Sequence, residues 1–164
     1  MYDLKQAAVD FPWTRVKGYA PVEPWREDGD SWFDDLLEGW GDVIHEYLLK
    51  IDKTLDEYGV KDKIVLAQVK EKFGLCRVYF DITEDGESVF LEKYIDAYEA
   101  IRDLFEDMEH ATSEVCCYCG IRDDLHWRNG WIHVSCDECE DRVREEFRKY
   151  LEEQKKKNES LIDN

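Results

Sequence analysis

The sequence has 164 residues, of which 43% are hydrophobic and 13% aromatic, and this composition argues against a disordered chain. Acidic residues outnumber basic ones by 40 to 22, so the formal net charge is −18, and acids are in excess in every third of the chain. Because nucleic-acid binding needs Lys and Arg to displace counterions, such a charge disfavours direct contact with DNA or RNA.

The first thirty residues predict an irregular segment, because they contain all three prolines together with the aromatic residues Phe11, Trp13, Tyr19 and Trp25. Ser31 with Asp34 resembles a capping box. This pair predicts a short helix from Trp32 towards Glu38, which the glycines of Gly39-Trp40-Gly41 would end.

A second helix is predicted from apolar residues at helical spacing, namely Ile44, Tyr47, Leu48, Ile51 and Leu55. Gly59 follows as a natural C-cap. Two strands come next, a buried one over 64–69 and an alternating one over 75–82, with residues 70–74 as the hairpin connection. The second strand would point Cys76, Val78, Phe80 and Ile82 inward.

A turn at Asp85-Gly86 and an N-cap at Ser88 predict a long helix that continues to about Ala111. It has the longest apolar stripe in the chain: Phe90, Leu91, Tyr94, Ile95, Tyr98, Ile101, Leu104, Phe105 and Met108. We expect this helix and the second one to pack on the hairpin, which gives an α+β fold with a small β-hairpin or sheet packed by helices.

Two C-x-x-C pairs are the most informative motif of the chain, and their members are Cys116, Cys119, Cys136 and Cys139. Sixteen residues separate the inner cysteines, a spacing that is typical of a structural zinc site. The alternative is two disulfides. Cys117 lies inside the first pair but at C-x-C spacing from Cys119, so we leave it out of the ligand set. A four-thiolate site leaves no coordination position open for substrate, so we expect one structural Zn²⁺ per chain.

The segment between the cysteine pairs predicts a hairpin with a two-residue type I′ turn at Asn129-Gly130. That register would place Leu125, Trp127, Ile132 and Val134 on one apolar face, and His126 opposite His133. The second pair begins a helical pattern with Val143, Phe147 and Leu151 on one stripe. A turn, a hairpin and a helix with the last ligands resemble a treble-clef zinc finger.

Three motifs follow one another in the chain: Val69-Lys70-Glu71-Lys72-Phe73-Gly74 with Arg77-Val78-Tyr79, then Cys116-Cys117-Tyr118-Cys119-Gly120, then Gly130-Trp131 with Cys136-Asp137-Glu138-Cys139. They resemble the V-K-E-K-F-G-G-L-R-F-Y, C-E-x-C-G and G-W-x-x-x-C-D-x-C motifs of a family of small, poorly characterised bacterial and bacteriophage proteins. In the first motif, Leu75 replaces a glycine and Cys76 a leucine. The resemblance implies the zinc module and a phage or mobile-element origin, and it brings no assigned reaction.

We predict an α+β body over residues 1–115, a four-cysteine zinc module with a C-terminal helix over 116–154 and a polar tail over 155–164. Residues 1–10 carry charges that do not suit a signal peptide, so we expect a cytoplasmic protein, in the host cytoplasm if it is phage encoded. Glu71 and the basic residues around it could perform acid–base chemistry. The alternative is a turn with solvated charges, and we expect no enzyme activity.

Two functions are considered. The first is a non-enzymatic, acidic interaction protein that inhibits a basic nucleic-acid-handling, defence or toxin protein, with imitation of the charge of DNA as one means. Its candidate contact residues form two groups, Asp28, Asp30, Asp34, Asp35 and Glu38, and Glu99, Asp103, Glu106 and Asp107. The second is a zinc-finger protein that associates with nucleic acid or its processing machinery through basic residues of the last helix. The alternative to both is that the charge only keeps a small protein soluble, since net charge alone says little about function.

Overall fold

The computed structural model describes residues 1–17, 29–84, 87–88 and 92–162. In these residues, two small antiparallel sheets and four α-helices form an α+β fold, as the sequence predicted. The first sheet has the order β1-β2-β3 and the second contains β4 and β5. Helices α2 and α3 pack on each other, and α3 packs on β2, so that the main core lies between these helices and the first sheet.

The N-terminal segment forms short helical turns at Leu4–Gln6 and Pro12–Thr14 that flank α1 (Ala7–Asp10). Phe11 and Trp13 are buried in the main core, and the indole of Trp13 donates a hydrogen bond to Asp52 Oδ1 at 3.0 Å. The segment is therefore irregular but held in place. Tyr19 and Trp25 lie outside the described residues.

The short helix predicted over 32–38 is wrong, because this stretch forms turns and only Glu38–Trp40 is a 3₁₀ helix. Ser31 Oγ accepts a hydrogen bond from the amide of Phe33, two residues ahead, at 3.1 Å. Such a local bond stabilises a turn in place of a helical start. The adjacent Leu37 is extended, which separates these turns from the next helix.

Helix α2 (Gly41–Tyr58) confirms the second predicted helix and its C-cap. Its apolar stripe is buried except for Tyr47, which is half-buried, and Gly59 ends the helix with a φ of +65°. The predicted break at Gly41 is in fact the first residue of the helix.

The hairpin is confirmed as β1 (Ile64–Lys72) and β2 (Leu75–Glu84), and β3 (Glu87–Ser88) pairs with the end of β2. The predicted connection over 70–74 was too long. The turn contains only Phe73 and Gly74, with φ of +56° and +78°, as a two-residue hairpin with primed geometry requires. The inward set of β2 is confirmed, with Cys76 and Ile82 buried and Val78 and Phe80 half-buried against the core.

Helix α3 (Ile95–Thr112) ends where the sequence predicted but begins later, after a 3₁₀ turn at Glu92–Tyr94. Ser88 is not its N-cap, because it is paired with Thr83 in the sheet. The predicted turn at Asp85-Gly86 and the stripe members Phe90 and Leu91 lie outside the described residues. The aromatic ring of Phe80 packs on α3, as expected, with centroids 4.9 Å from Tyr98 and 5.2 Å from Phe105.

The last elements are β4 (Leu125–Arg128), β5 (His133–Cys136) and α4 (Asp137–Ile162). The predicted polar tail over 155–164 is helical as far as Ile162, because α4 runs on for 26 residues. Beyond the cysteine cluster this helix exposes Phe147, Tyr150 and Leu151 to solvent, so the predicted apolar stripe does not enter a core.

Candidate metal centre

Three local structures bring the four predicted cysteines together. Cys116 and Cys119 lie in a tight turn that is closed by a hydrogen bond from the Gly120 amide to the Cys116 carbonyl at 2.8 Å. Gly120 has a φ of +77° and lies against Gly39, so a side chain would fit poorly there. Cys136 ends β5, and Cys139 lies in the first turn of α4.

The geometry of the cluster fits a tetrahedral ion. One ligand atom of each of the four residues lies within 4.8 Å of all the others, and Cys119 Sγ and Cys136 Sγ are 3.9 Å apart. Four sulfurs at about 2.3 Å from a tetrahedral metal would be about 3.8 Å from one another. All six cysteines of the chain are free thiols, so the predicted alternative of two disulfides is not adopted. These four cysteines can hold a metal ion.

The electrostatic environment favours one thiolate before any metal binds. Burial opposes ionisation of Cys116, but backbone groups of Cys136, Cys119 and Tyr118 hydrogen-bond to its sulfur and lower its pKa to about 7. Burial raises the pKa of Cys119 and Cys139, so these thiols ionise only when a cation compensates. Thiols that are still protonated must lose their protons to become metal ligands, so metal binding by these cysteines would release protons.

The other two cysteines are not part of the cluster, as predicted for both. Cys117 belongs to the main core, where burial raises the pKa of its thiol to about 12. Cys76 is fully buried in β2, and its amide donates to Thr112 Oγ1 at 3.1 Å.

The predicted two-residue turn of the hairpin between the cysteine pairs is wrong. Arg128 pairs with His133, so residues 129–132 form a four-residue connection. Ile132 is therefore in the connection and exposed, and His126 pairs with Ser135 and not with His133. The indole of Trp131 donates to Glu71 Oε2 at 3.1 Å, and its ring stacks on His133 at 4.5 Å. These contacts hold Trp131 outside the strand.

A buried polar network beside the cysteines was not predicted. His133 Nε2 lies 3.0 Å from Glu140 Oε2, and Ser135 Oγ donates to the same oxygen at 3.1 Å. Arg144 Nε donates to the other oxygen, Oε1, at 2.9 Å. Burial opposes ionisation of Glu140, but these partners outweigh it and lower its pKa. The network ties β5 to α4 next to Cys136 and Cys139. The only sequence signal was the spacing of Glu140 and Arg144 by four residues on a helix.

The first sequence motif contacts this centre through its turn. Both oxygens of Glu71 accept hydrogen bonds, Oε1 from the Gly74 amide at 2.7 Å and Oε2 from Trp131. A side chain on Gly74 would lie 3.0 Å from the His133 Cα atom and 3.1 Å from the Trp127 ring. The glutamate therefore braces the tip of the β1–β2 hairpin against the cysteine module.

A second group of possible metal ligands lies on the exposed side of the β4–β5 hairpin and consists of Asp124, His126 and Asp137. The Arg128 guanidinium lies 2.7 Å from Asp137 Oδ1 and lowers the pKa of that carboxyl. Because a cationic side chain already pairs with one of the three groups, we interpret them as a surface ion-pair cluster.

The two predicted acidic groups are placed differently. Asp28 lies outside the described residues, Asp35 and Glu38 are exposed, and Asp30 and Asp34 are half-buried. The second group is fully exposed along α3 and consists of Glu99, Asp103, Glu106 and Asp107. The only arginine of that helix, Arg102, pairs with Asp103 at 2.8 Å and with Glu106 at 3.6 Å.

Comparison with protein-family models, with curated proteins and with solved structures finds no match to this chain. No helix in the described ranges is both long enough and apolar enough to cross a membrane.

Proposed function

We propose that this chain is a non-enzymatic, acidic, zinc-binding interaction protein that binds and inhibits a basic protein. The observation that carries the proposal is the surface of α3, whose 18 residues contain six carboxylates and one arginine. At a rise of about 1.5 Å per residue, this is one carboxylate per about 4.5 Å of helix. One strand of DNA presents a phosphate about every 3.4 Å, so a groove built for DNA would attract this face.

The metal of the proposal is Zn²⁺ in a treble-clef finger. Four thiolates with tetrahedral spacing are typical of structural zinc, which has no open position for a substrate. The order of a cysteine turn, a hairpin and a helix with the last ligand supports this type of finger. The role of the ion would be to fix the hairpin and the start of α4.

The resemblance of the three motifs to bacterial and bacteriophage proteins supports a phage or mobile-element origin and a cytoplasmic location. Such a protein would meet host nucleases, defence complexes or toxins, which bind DNA or RNA through basic surfaces. An acidic inhibitor would compete for those surfaces, and electrostatic steering would speed its association.

The proposal is tested by capture from the bacterial host, followed by kinetics with the captured partner. Lys substitutions at Glu99, Asp103 and Asp107 should slow association, and higher salt should slow the wild type in the same way. Glu57→Lys on α2 is the matched control, because it reverses a charge on an exposed site of another helix. Association that ignores both salt and the three substitutions would contradict the proposal.

One observation favours the second candidate, a finger associated with nucleic acid. Residues 142–157 of α4 contain seven basic and four acidic residues, and Phe147 and Tyr150 are exposed among them. Fluorescence anisotropy with duplex and single-stranded DNA at physiological salt decides between the candidates. Binding that disappears when Lys155, Lys156 and Lys157 are changed to Gln would establish the second candidate.

A further inference from the structure

His133 lies where the local structures that carry the four clustered cysteines meet. It is the first residue of β5, the strand that ends at Cys136, and its side chain is buried. The ring of Tyr118, from the first cysteine turn, packs edge-on against the imidazole with centroids 5.6 Å apart. Glu140, which follows Cys139 on α4, lies 3.0 Å from its Nε2. The position of this one ring is therefore tied to the placement of both cysteine pairs.

The outer side of His133 is covered by Trp131. The two rings are stacked with centroids 4.5 Å apart, and the Trp131 carbonyl oxygen lies 2.8 Å from His133 Nδ1. Trp131 is 48% exposed and lies in the connection between β4 and β5, so the strand pairing does not hold its side chain. A hydrogen bond from its indole Nε1 to Glu71 Oε2, at 3.1 Å, provides that restraint.

Glu71 is well anchored for this role. It lies on β1 opposite Cys76, which is buried in the main core, so its backbone belongs to the body of the protein. Its Oε1 accepts a hydrogen bond from the Gly74 amide at 2.7 Å, which leaves Oε2 for Trp131. Gly74 itself packs so closely that a Cβ atom there would lie 3.0 Å from His133 Cα. The body therefore reaches the centre of the cysteine module through one carboxylate and one indole.

We propose that Glu71 and Trp131 are positioning residues of the metal centre, through which the body raises the affinity of the four cysteines for zinc. Neither residue is a ligand. Glu71 fixes the indole, the indole keeps the His133 ring in place, and that ring holds the two cysteine pairs at the spacing of a tetrahedral ion. A site whose ligands are already ordered loses less of the binding free energy to ordering them. Residues that support metal ligands from behind commonly change metal affinity about 10–100-fold when they are substituted.

The contact also gives two sequence motifs a role, because Glu71 belongs to the first motif and Trp131 to the third. The inference rests on the proposed function only for the identity of the ion. Thermodynamic linkage makes the coupling reciprocal, so bound zinc must stabilise the contact by the same factor by which the contact raises zinc affinity. Since the body has its own core, zinc removal should release Trp131 from Glu71 and leave α2 and α3 folded.

The zinc affinity of the full chain, measured by competition with a chromogenic chelator, tests the first direction. Glu71→Gln keeps the shape of the side chain, but an amide has one acceptor oxygen and cannot accept from both Gly74 and Trp131. Trp131→Phe keeps a ring over His133 and removes the indole donor. Each variant should bind zinc about tenfold more weakly. The double variant should lose little more than Glu71→Gln alone, because both substitutions remove the same contact.

Glu138→Gln is the matched control, because it removes the same charge from an exposed residue next to Cys139. It should bind zinc with nearly the wild-type affinity. Nuclear magnetic resonance of the indole N–H groups tests the reverse direction. Zinc removal should shift the Trp131 signal, which is identified by its absence from Trp131→Phe, and speed its exchange with solvent. The signal of Trp13, which donates to Asp52 inside the body, should stay unchanged.

A wild type that binds zinc, together with unchanged affinity in Glu71→Gln or a Trp131 signal that ignores zinc, would overturn the inference and leave the proposed function intact. An equal loss in Glu138→Gln would show that charge near the ion sets the affinity, and losses that add in the double variant would show that Glu71 and Trp131 act separately. Either result would overturn the inference, as would equal destabilisation of Glu71→Gln in urea with and without zinc, which marks a merely structural contact. If the wild type binds no zinc, the proposed function fails and the inference fails with it.

Discussion

Gly39 is the point where the helical body meets the first cysteine turn, and Gly39→Ala is the sharpest test of that contact. A Cβ atom on this residue would lie 2.2 Å from the Cys116 carbonyl oxygen and 2.7 Å from the Cys117 carbonyl oxygen. Both neighbours are backbone atoms, so no side chain can rotate away. The amide of Gly39 also donates to the Cys117 carbonyl at 3.0 Å.

The expected cost follows from these contacts. Forcing one extra carbon into a packed site costs about 1–3 kcal/mol. The displacement also breaks the hydrogen bond to Cys117, which adds about 1 kcal/mol. We therefore expect Gly39→Ala to lower the free energy of unfolding by about 2–4 kcal/mol. In a domain of this size each kcal/mol shifts Tm by about 2–4 °C, so Tm should fall by about 4–16 °C.

Urea unfolding and zinc release to a chromogenic chelator measure the two consequences. The control is Gly59→Ala at the end of α2, where a Cβ atom meets nothing within 4 Å but the φ of +65° is unfavourable. The control should lose about 1–2 kcal/mol from backbone strain alone and release zinc at the wild-type rate. Wild-type stability and zinc release in Gly39→Ala would refute the close contact.

Three further results are expected. Cys136→Ser should reduce bound zinc, measured by metal analysis, from one equivalent to almost none. The helical circular dichroism of the body should remain, and its loss would contradict a cysteine module that folds separately from the body. Phe80→Ala should cost about 2–3 kcal/mol in urea unfolding, less than the roughly 3–5 kcal/mol of a fully buried ring, because this ring is half-buried against Tyr98 and Phe105. The folded pKa of Glu140 is below its ordinary value of 4.5, so its contribution is complete above that pH and is lost as pH falls through the folded pKa. Stability should therefore fall more steeply below about pH 4.5 in the wild type than in Glu140→Gln, and parallel curves would contradict this assignment.

The elements that the sequence predicted well are those whose signals are local and periodic. Helix α2 has a regular apolar stripe and a glycine cap, and β2 alternates without interruption, so both could be identified from spacing alone. The four cysteines that can hold a metal ion were identified for the same reason, because their spacing reflects ligand geometry. Cys117 could be set aside by spacing as well, and its burial in the main core agrees.

The errors fall where contacts distant in sequence decide the conformation. Asn129-Gly130 suits a two-residue turn, but Glu71 holds Trp131 outside the strand from 60 residues away, so the connection lengthens. No periodicity records that contact. Ser31 was misjudged because a serine hydroxyl can close a turn or cap a helix with the same chemistry. The pairing of His133 with Glu140 could not be predicted, because the two residues come together only when β5 packs beside α4 in the folded chain.

The length of α4 has a consequence for how cooperatively the chain unfolds. At about 1.5 Å per residue its 26 residues span about 39 Å, and most side chains beyond Val143 are exposed. Isolated helices of about 12–15 residues are marginal in water, so ion pairs such as Lys149 with Glu145 must hold the outer turns. Amide exchange should therefore rise progressively from Arg144 towards Lys157. Those outer turns would melt before the body and behave as a separate, weakly stable unit of the fold.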